Sequence, residues 1–270
     1  MSGSENKEVC RRFFEAVVSQ GDLSLIDEIC APDYRLHATL SGPDAIDREA
    51  LRKLVTSWRS SFPDGKITLE DIVAEDDLVA ARMLETGIQS GEFKGISPTG
   101  RQVRYGSMTF LRVVDGKITD HWGLLDMPSL LEQLGAAAHP TQEHPNIARV
   151  RQALDAFSSG DMDDVKAYVA EDIVWHVPGR GRLAGDKKGL DEVIAFFREA
   201  GVLGTTNFSI DARKMMAGDD FVTMFVHYHH VRGEEVFDQD GIELFRLAGG
   251  KISEFWAFIR DSRAFDEFFK

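Results

Sequence analysis

Gly116-Lys117-Ile118-Thr119-Asp120-His121-Trp122 and Gly250-Lys251-Ile252-Ser253-Glu254-Phe255-Trp256 are one phrase written twice. Each begins with a Gly-Lys turn and runs on as a strand ending in tryptophan. Working back from them, Ala16-Val17-Val18-Ser19-Gln20-Gly21-Asp22 is answered by Ala156-Phe157-Ser158-Ser159-Gly160-Asp161. The offset that places Gly21-Asp22 on Gly160-Asp161 also places Asp33 on Asp172 and His37 on His176. The later pair needs a slightly shorter offset, so the middle of the second copy carries small length changes. Two copies of one fold account for this pattern better than one large domain does.

The chain has 270 residues, room for two domains of about 130 residues each. Its formal charge is −14 and divides evenly between the halves, so no acidic tail produces it. An acidic balance of this size argues against a dedicated nucleic-acid binder or a binder of acidic membranes, both of which need basic surface. The start lacks the apolar core of a signal peptide, and no apolar run reaches membrane-spanning length. A cytoplasmic protein is expected. Cys10 and Cys30 are the only cysteines and fall at apolar helical positions, where buried free thiols are expected.

Within the first copy, apolar spacing predicts helices over residues 7–19, 25–30, 48–60 and 128–134. Strands are expected over 34–37, 66–73, 78–85, 102–113 and 117–125, with turns at Asp76-Asp77 and Asp115-Gly116. The second copy repeats the order: helices 146–158, 162–169 and 189–199, a strand at 173–177, then strands to about residue 260. Helices followed by a curved antiparallel sheet define an α+β class. The boundaries read as 1–136 for the first domain, 137–145 for a linker with His139, Pro140, His144 and Pro145, and 146–270 for the second domain.

This order of elements resembles the cone-shaped nuclear transport factor 2-like (cystatin-like) fold in tandem. The first copy is more specific. Gly87 through Arg101, with Phe93-Lys94-Gly95-Ile96-Ser97-Pro98-Thr99-Gly100 at its centre, is similar to the loop of SnoaL-like polyketide cyclases and ester cyclases. So are the Gly116–Trp122 phrase, Asp126 and Leu130-Leu131-Glu132-Gln133-Leu134-Gly135. Trp175-His176-Val177-Pro178-Gly179 and Ala184-Gly185 mark the second copy as a broader SnoaL-like domain. The resemblance implies an intramolecular aldol ring closure, or a related isomerisation, by acid/base groups in an apolar cone, with no metal or organic cofactor. A noncatalytic binding or assembly module and a hydrolase of an activated or strained ring remain alternatives, because this fold hosts many activities.

On that resemblance the catalytic candidates are Asp126 as base, with His121 and Tyr105 as donors; the alternatives are a cap for the helix beginning near Ser129 for Asp126, and an interface or a structural hydrogen bond for His121. Asp126 and His121 have opposite strand parity, so both face the cone only if a bulge or the strand end intervenes. Expected substrate contacts are His37, Gln89, Ser107 and Trp122 in the first copy, and Trp175, His176, His227, His229 and Trp256 in the second. Gln89 stands where many ester-cyclase-like sequences have histidine; an amide can orient a group but cannot titrate. His227 and His229 share one strand face and could seed a metal site with His176, Asp238, Asp240 or Glu243, but a pocket wall is the preferred reading. The expected partners are a polycyclic or carbonyl-containing small molecule and a second copy of the fold, as an internal pseudodimer or a homodimer; nucleic acid and membrane are not expected.

Overall fold

The computed structural model describes residues 3–37, 45–136, 143–160, 162–200, 208–218 and 220–270. The chain divides into two units, Met1–Gln142 and Glu143–Lys270. Residues 137–142 of the expected linker, with His139 and Pro140, lie outside the described residues. His144 and Pro145 belong to the start of a helix: the His144 ring accepts the Asn146 amide, and Pro145 occupies the first turn, where its missing N–H costs nothing.

In the first unit α1 (Gly3–Arg12) runs into a π-helical segment, Phe13–Ser19. A short turn, Leu23–Leu25, leads to α2 (Ile26–Ile29), β1 (Cys30–His37) and α3 (Arg48–Ser61). Four strands follow: β2 (Lys66–Glu75), β3 (Leu78–Ile88), β4 (Gln102–Val114) and β5 (Lys117–Leu125). Helix α4 (Met127–Gln133) closes the unit. Gly21 stops the first helix with a left-handed φ of 79°, and Asp22 then caps the next turn by accepting the Ser24 amide. Gly160 does the same stopping job in the second unit with a φ of 74°. That shared backbone requirement is why the glycine recurs.

The sheet order is β1-β5-β4-β3-β2. It is antiparallel from β5 to β2, but β1 joins β5 in parallel, so the sheet is mixed rather than antiparallel throughout. The parallel pair is possible because α3 and the meander supply the long crossover it needs. Cys10, Phe13, Val17, Ile26, Cys30, Tyr34, Leu111 and Ile118 form the fully buried heart between helices and sheet. Both cysteines are free and buried, and burial pushes the Cys30 thiol up to about 12.

The second unit repeats the plan with α5 (Pro145–Ser159), α6 (Met162–Tyr168), β6 (Val169–Val177), β7 (Gly185–Lys188) and α7 (Leu190–Glu199). Strands β8 (Phe208–Ala217), β9 (Phe221–Arg232), β10 (Glu235–Ala248) and β11 (Lys251–Ile259) lead to α8 (Ser262–Phe268). Its sheet order is β7-β6-β11-β10-β9-β8, again with one parallel pair, β6 with β11. The sequence pattern does not anticipate β7, a polar edge strand, or α8, whose start Asp261 caps by accepting the Arg263 and Ala264 amides. Among the described residues no helix is long and apolar enough to cross a membrane.

Candidate active site

Each unit holds an apolar cavity of about 110 Å³ between its helices and the concave face of its sheet. In the first, Phe13, Phe14 and Val18 from the π-helical segment face Glu85, Ser107, His121 and Gly123 on the sheet. Wide helical turns of this kind often lie at functional sites.

His121 is buried, with Phe13 and Phe14 edge-on at 5.6 and 6.0 Å. Burial, with a smaller contribution from His37, lowers its pKa to about 3, so the ring is neutral near pH 7. Its Nδ1 lies 2.9 Å from the buried Tyr34 hydroxyl. Donation by Tyr34 to Nδ1 satisfies both groups and leaves the proton on Nε2. Gly123 stands beside that nitrogen: a Cβ there would come within 3.3 Å of it.

Glu85 is the carboxylate of this wall. It pairs directly with Tyr105 across β3 and β4, two residues along from Ser107. Burial raises the Glu85 pKa, while the neighbouring Tyr105 and Ser107 hydroxyls oppose that rise. Tyr105 in turn accepts the Trp58 indole N–H at 3.1 Å. Ser107 influences Glu85 electrostatically but has no well-formed hydrogen bond among the described residues.

Other expected site residues lie elsewhere. No register shift interrupts β5 between Asp120 and Leu125, so His121, Gly123 and Leu125 face the cavity together. Asp126 follows the strand end and caps α4, accepting the Ser129 amide at 3.3 Å. Five residues along a strand separate it from His121 by roughly 16 Å. The two are not brought together. Gln89 is fully buried but holds its own loop: its amide N–H₂ reaches the Gly91, Ile96 and Ser97 carbonyls, and its Oε1 accepts from the Thr99 amide and hydroxyl.

His37 and Trp122 also leave the cavity wall, by strand parity. They stack at 4.8 Å, and His37 Nε2 meets Asp120 at 2.7 Å. His176 and Trp256 repeat the stack at 5.0 Å, with His176 held by Asp186 and Glu254. Burial lowers the His176 pKa, but the two carboxylates outweigh it and the net shift is upward.

In the second unit Trp175 does line the cavity, stacked on Phe255 at 3.7 Å. His227 and His229 do not: alternation along β9 turns Tyr228 inward and pairs the two histidines with Asp238 and Asp240 instead. Among the described residues no group of three or more His, Cys, Asp or Glu side chains is arranged to hold a metal. The titratable groups of the wall are Tyr228 and Glu243, with Ser158 a further polar side chain on it. The Tyr228 hydroxyl donates to Glu243 Oε1 at 2.6 Å, and burial pushes the Glu243 carboxyl up to about 7. The tyrosine ring reaches it by lying across Gly241, where a Cβ would stand 2.8 Å from Tyr228 Cε2.

The strand registers equate the two walls residue by residue. Leu111 opposite His121 matches Phe245 opposite Phe255, so Thr109 corresponds to Glu243 and Ser107 to Gly241. Ala81 opposite Thr109 then matches Met224 opposite Glu243, so Glu85 corresponds to Tyr228. The carboxylate has changed strands between the copies. Sequence reasoning missed Glu85 and Tyr228 and weighed Glu243 only as a metal ligand. The available signal was a single glutamate on the inward parity of an otherwise apolar strand.

The fold and these apolar cavities define a SnoaL-like protein. Residues 8–134 match the SnoaL-like polyketide cyclase family and residues 150–255 match the SnoaL-like domain family. The chain is 33% identical over 112 residues to nogalonic acid methyl ester cyclase of Streptomyces nogalater, spanning 41% of this chain and 83% of that protein. It is 30% identical over 143 residues to aklanonic acid methyl ester cyclase AcmA of Streptomyces galilaeus, spanning 52% and 97%. The solved structure of TsrD from Streptomyces laurentii is 29% identical, with a TM-score of 0.46 over 50% of this chain and 98% of that one. The chain belongs to the SnoaL-like polyketide cyclase family through its first domain, with two SnoaL-like domains in tandem.

Proposed function

We propose that the first domain is a cofactor-independent enzyme that moves a proton next to a carbonyl group, leading to ring closure or isomerisation of a small molecule. The observation that carries this reading is Glu85, a carboxylate with raised pKa, on the same apolar cavity wall as a neutral His121. A raised pKa makes the ionised carboxylate a better base, and low surrounding polarity strengthens each hydrogen bond to developing charge.

In this reading Glu85 removes a proton from the carbon beside a carbonyl. His121 Nε2–H donates a hydrogen bond to the resulting enolate oxygen. For ring closure, the enolate carbon attacks a second carbonyl of the same molecule, a carbon–carbon bond forms, and the new alkoxide takes the proton back from Glu85. For isomerisation, the proton returns to another carbon. Neither course needs an added reactant. A cavity of about 110 Å³ takes the reacting ring or chain rather than a whole multi-ring molecule. Glu85 replaces Asp126 as the proposed base because Asp126 caps α4 rather than lining the cavity.

The names of the two Streptomyces relatives supply the substrates to try. Purified protein is incubated with nogalonic acid methyl ester or aklanonic acid methyl ester, and product is followed by liquid chromatography. Loss of about 10²-fold or more in Glu85→Gln, with Asp126→Asn much less affected, is expected for a general base. Full turnover by Glu85→Gln removes it from the role. The opposite ranking returns the role to Asp126. Absence of turnover in the wild type, with tight binding of either ester, favours a binding module.

A further inference from the structure

The second cavity differs from the first in chemistry, not in size. Tyr228 stands where the first domain has Glu85, Glu243 where it has Thr109, and Phe255 where it has His121. Glu243 is 3% exposed and lines the cavity. Its Oε1 accepts the Tyr228 hydroxyl, whereas Oε2 is buried and has no hydrogen-bond partner among the described residues. A buried carboxyl oxygen without a partner costs free energy unless something else satisfies it. The remaining wall is strongly apolar, with Trp175, Phe197, Phe237 and Phe255 among its rings.

Glu243 and Tyr228 are the titratable groups among the cavity's described lining residues, and no Lys, Arg or His is among them. His230, next on the inward face of β9, packs against Phe208, Phe268 and Phe269, and burial lowers its pKa. Nothing positive in the wall therefore compensates an ionised Glu243, and burial favours its neutral acid. With Oε1 receiving Tyr228, the acid proton belongs on Oε2, directed at whatever enters. Gly241 maintains this arrangement by leaving room for the tyrosine ring.

We propose that the second domain's cavity is a separate binding site for an apolar, ring-bearing molecule that presents one hydrogen-bond-accepting oxygen, a ketone, aldehyde or quinone, to Oε2 of Glu243, with Tyr228 fixing the carboxyl. Trp175 and its neighbours take the ring faces, and the oxygen sets the orientation. This inference does not depend on turnover in the first domain.

Calorimetric titration of the full chain with acetophenone and with α-methylstyrene, single-ring probes suited to a cavity of about 110 Å³, tests it. The two probes share shape, and only the ketone can accept a hydrogen bond. At about pH 6 the wild type should prefer the ketone by about tenfold, the ratio expected of one buried hydrogen bond. That preference should fall away at about pH 8.5, where Glu243 is ionised and no longer donates. Glu243→Met should abolish the preference at both pH values. Glu243→Gln keeps an N–H donor and should retain a preference that no longer changes with pH, which decides the matter if the methionine variant fails to fold. Equal binding of both probes by the wild type at about pH 6, or binding of neither, overturns the proposal. A ketone preference unchanged in both variants also overturns it, by locating the site elsewhere.

Discussion

Glu85 and Tyr228 hold the same place in their two domains, and each faces a cavity. In the first, the acid sits on β3 opposite Tyr105; in the second, the phenol sits on β9 and the acid, Glu243, on the neighbouring β10. Each domain thus keeps one carboxyl and one tyrosine hydroxyl together in apolar surroundings, with the strands exchanged. The shared fold does not impose a shared chemistry.

The buried Glu243 makes the second domain's stability depend on pH. Its folded pKa of about 7 lies above the ordinary 4.5, so the folded form holds the proton over that interval while the unfolded chain releases it. Stability is full below about 4.5 and declines as pH rises to about 7, by at most about 1.4 kcal/mol per pH unit. Urea unfolding at stepped pH, with β10 amides followed by hydrogen exchange, should show this slope in the wild type and a flatter one in Glu243→Gln. Equal slopes would contradict a buried neutral acid.

His121 acts in the other direction. Its folded pKa of about 3 lies below the ordinary 6.5, so on acidification the unfolded chain takes the proton first. The first domain should lose stability as pH falls from about 6.5 toward 3, again by at most about 1.4 kcal/mol per unit. His121→Phe copies the second domain and should reduce that acid sensitivity. At neutral pH it strands the Tyr34 hydroxyl, at a cost of about 1–3 kcal/mol, and the added change Tyr34→Phe should recover part of that. Thermal melts of the wild type and the two variants at neutral and acid pH measure both effects.

Gly241→Ala is expected to destabilise the second domain by about 1–3 kcal/mol or more, because the new methyl group would stand 2.8 Å from the Tyr228 ring and 2.9 Å from the Phe258 carbonyl. The backbone carbonyl cannot move aside. Gly123→Ala meets only the edge of the His121 ring, at 3.3 Å, and should cost less. Denaturant midpoints of the two variants rank them directly, and the reverse order would refute the packing account.

Gln89→Met keeps side-chain length but removes every side-chain hydrogen bond to the loop that follows β3, leaving the backbone bonds to Gly100 and Arg101. A loss of about 1–3 kcal/mol is expected for the orphaned buried partners. Hydrogen exchange at the Thr99 amide, which donates to Gln89 Oε1 at 2.9 Å, should accelerate sharply. Unchanged exchange there would mean that the loop is held by other contacts.

Much of the fold was legible because it rests on periodicity. The apolar stripe of α3 and the alternation of β5 identify those elements within a residue or so, and the glycine stop recurs because both turns need a left-handed residue. β7 was illegible because Gly185-Asp186-Lys187-Lys188 has no apolar alternation and forms only by pairing with β6. The cavity walls were read in part. His121, Ser107 and Trp175 fall where strand parity puts them. His37, Trp122, His176, His227, His229 and Trp256 are functional residue types on the other parity, and residue type outweighed geometry in selecting them. Glu85 and Glu243 were passed over for the opposite reason: a glutamate in a strand ordinarily marks the solvent face, and only the apolar neighbours at i−2 or i+2 say otherwise.

The exchange of strands also makes the two cavities hard to interconvert. Turning the second wall into the first means Phe255→His together with Tyr228→Glu, Glu243→Thr and Gly241→Ser, and among the last three the order of the steps matters. Starting at Tyr228 puts two carboxyls into one dry space, where they cannot both ionise. Starting at Glu243 leaves the tyrosine hydroxyl without its acceptor, and starting at Gly241 drives a side chain into the tyrosine ring. Each of these three steps, taken first, runs uphill, so the two walls stand on opposite sides of a mutational barrier although the backbone that carries them is the same.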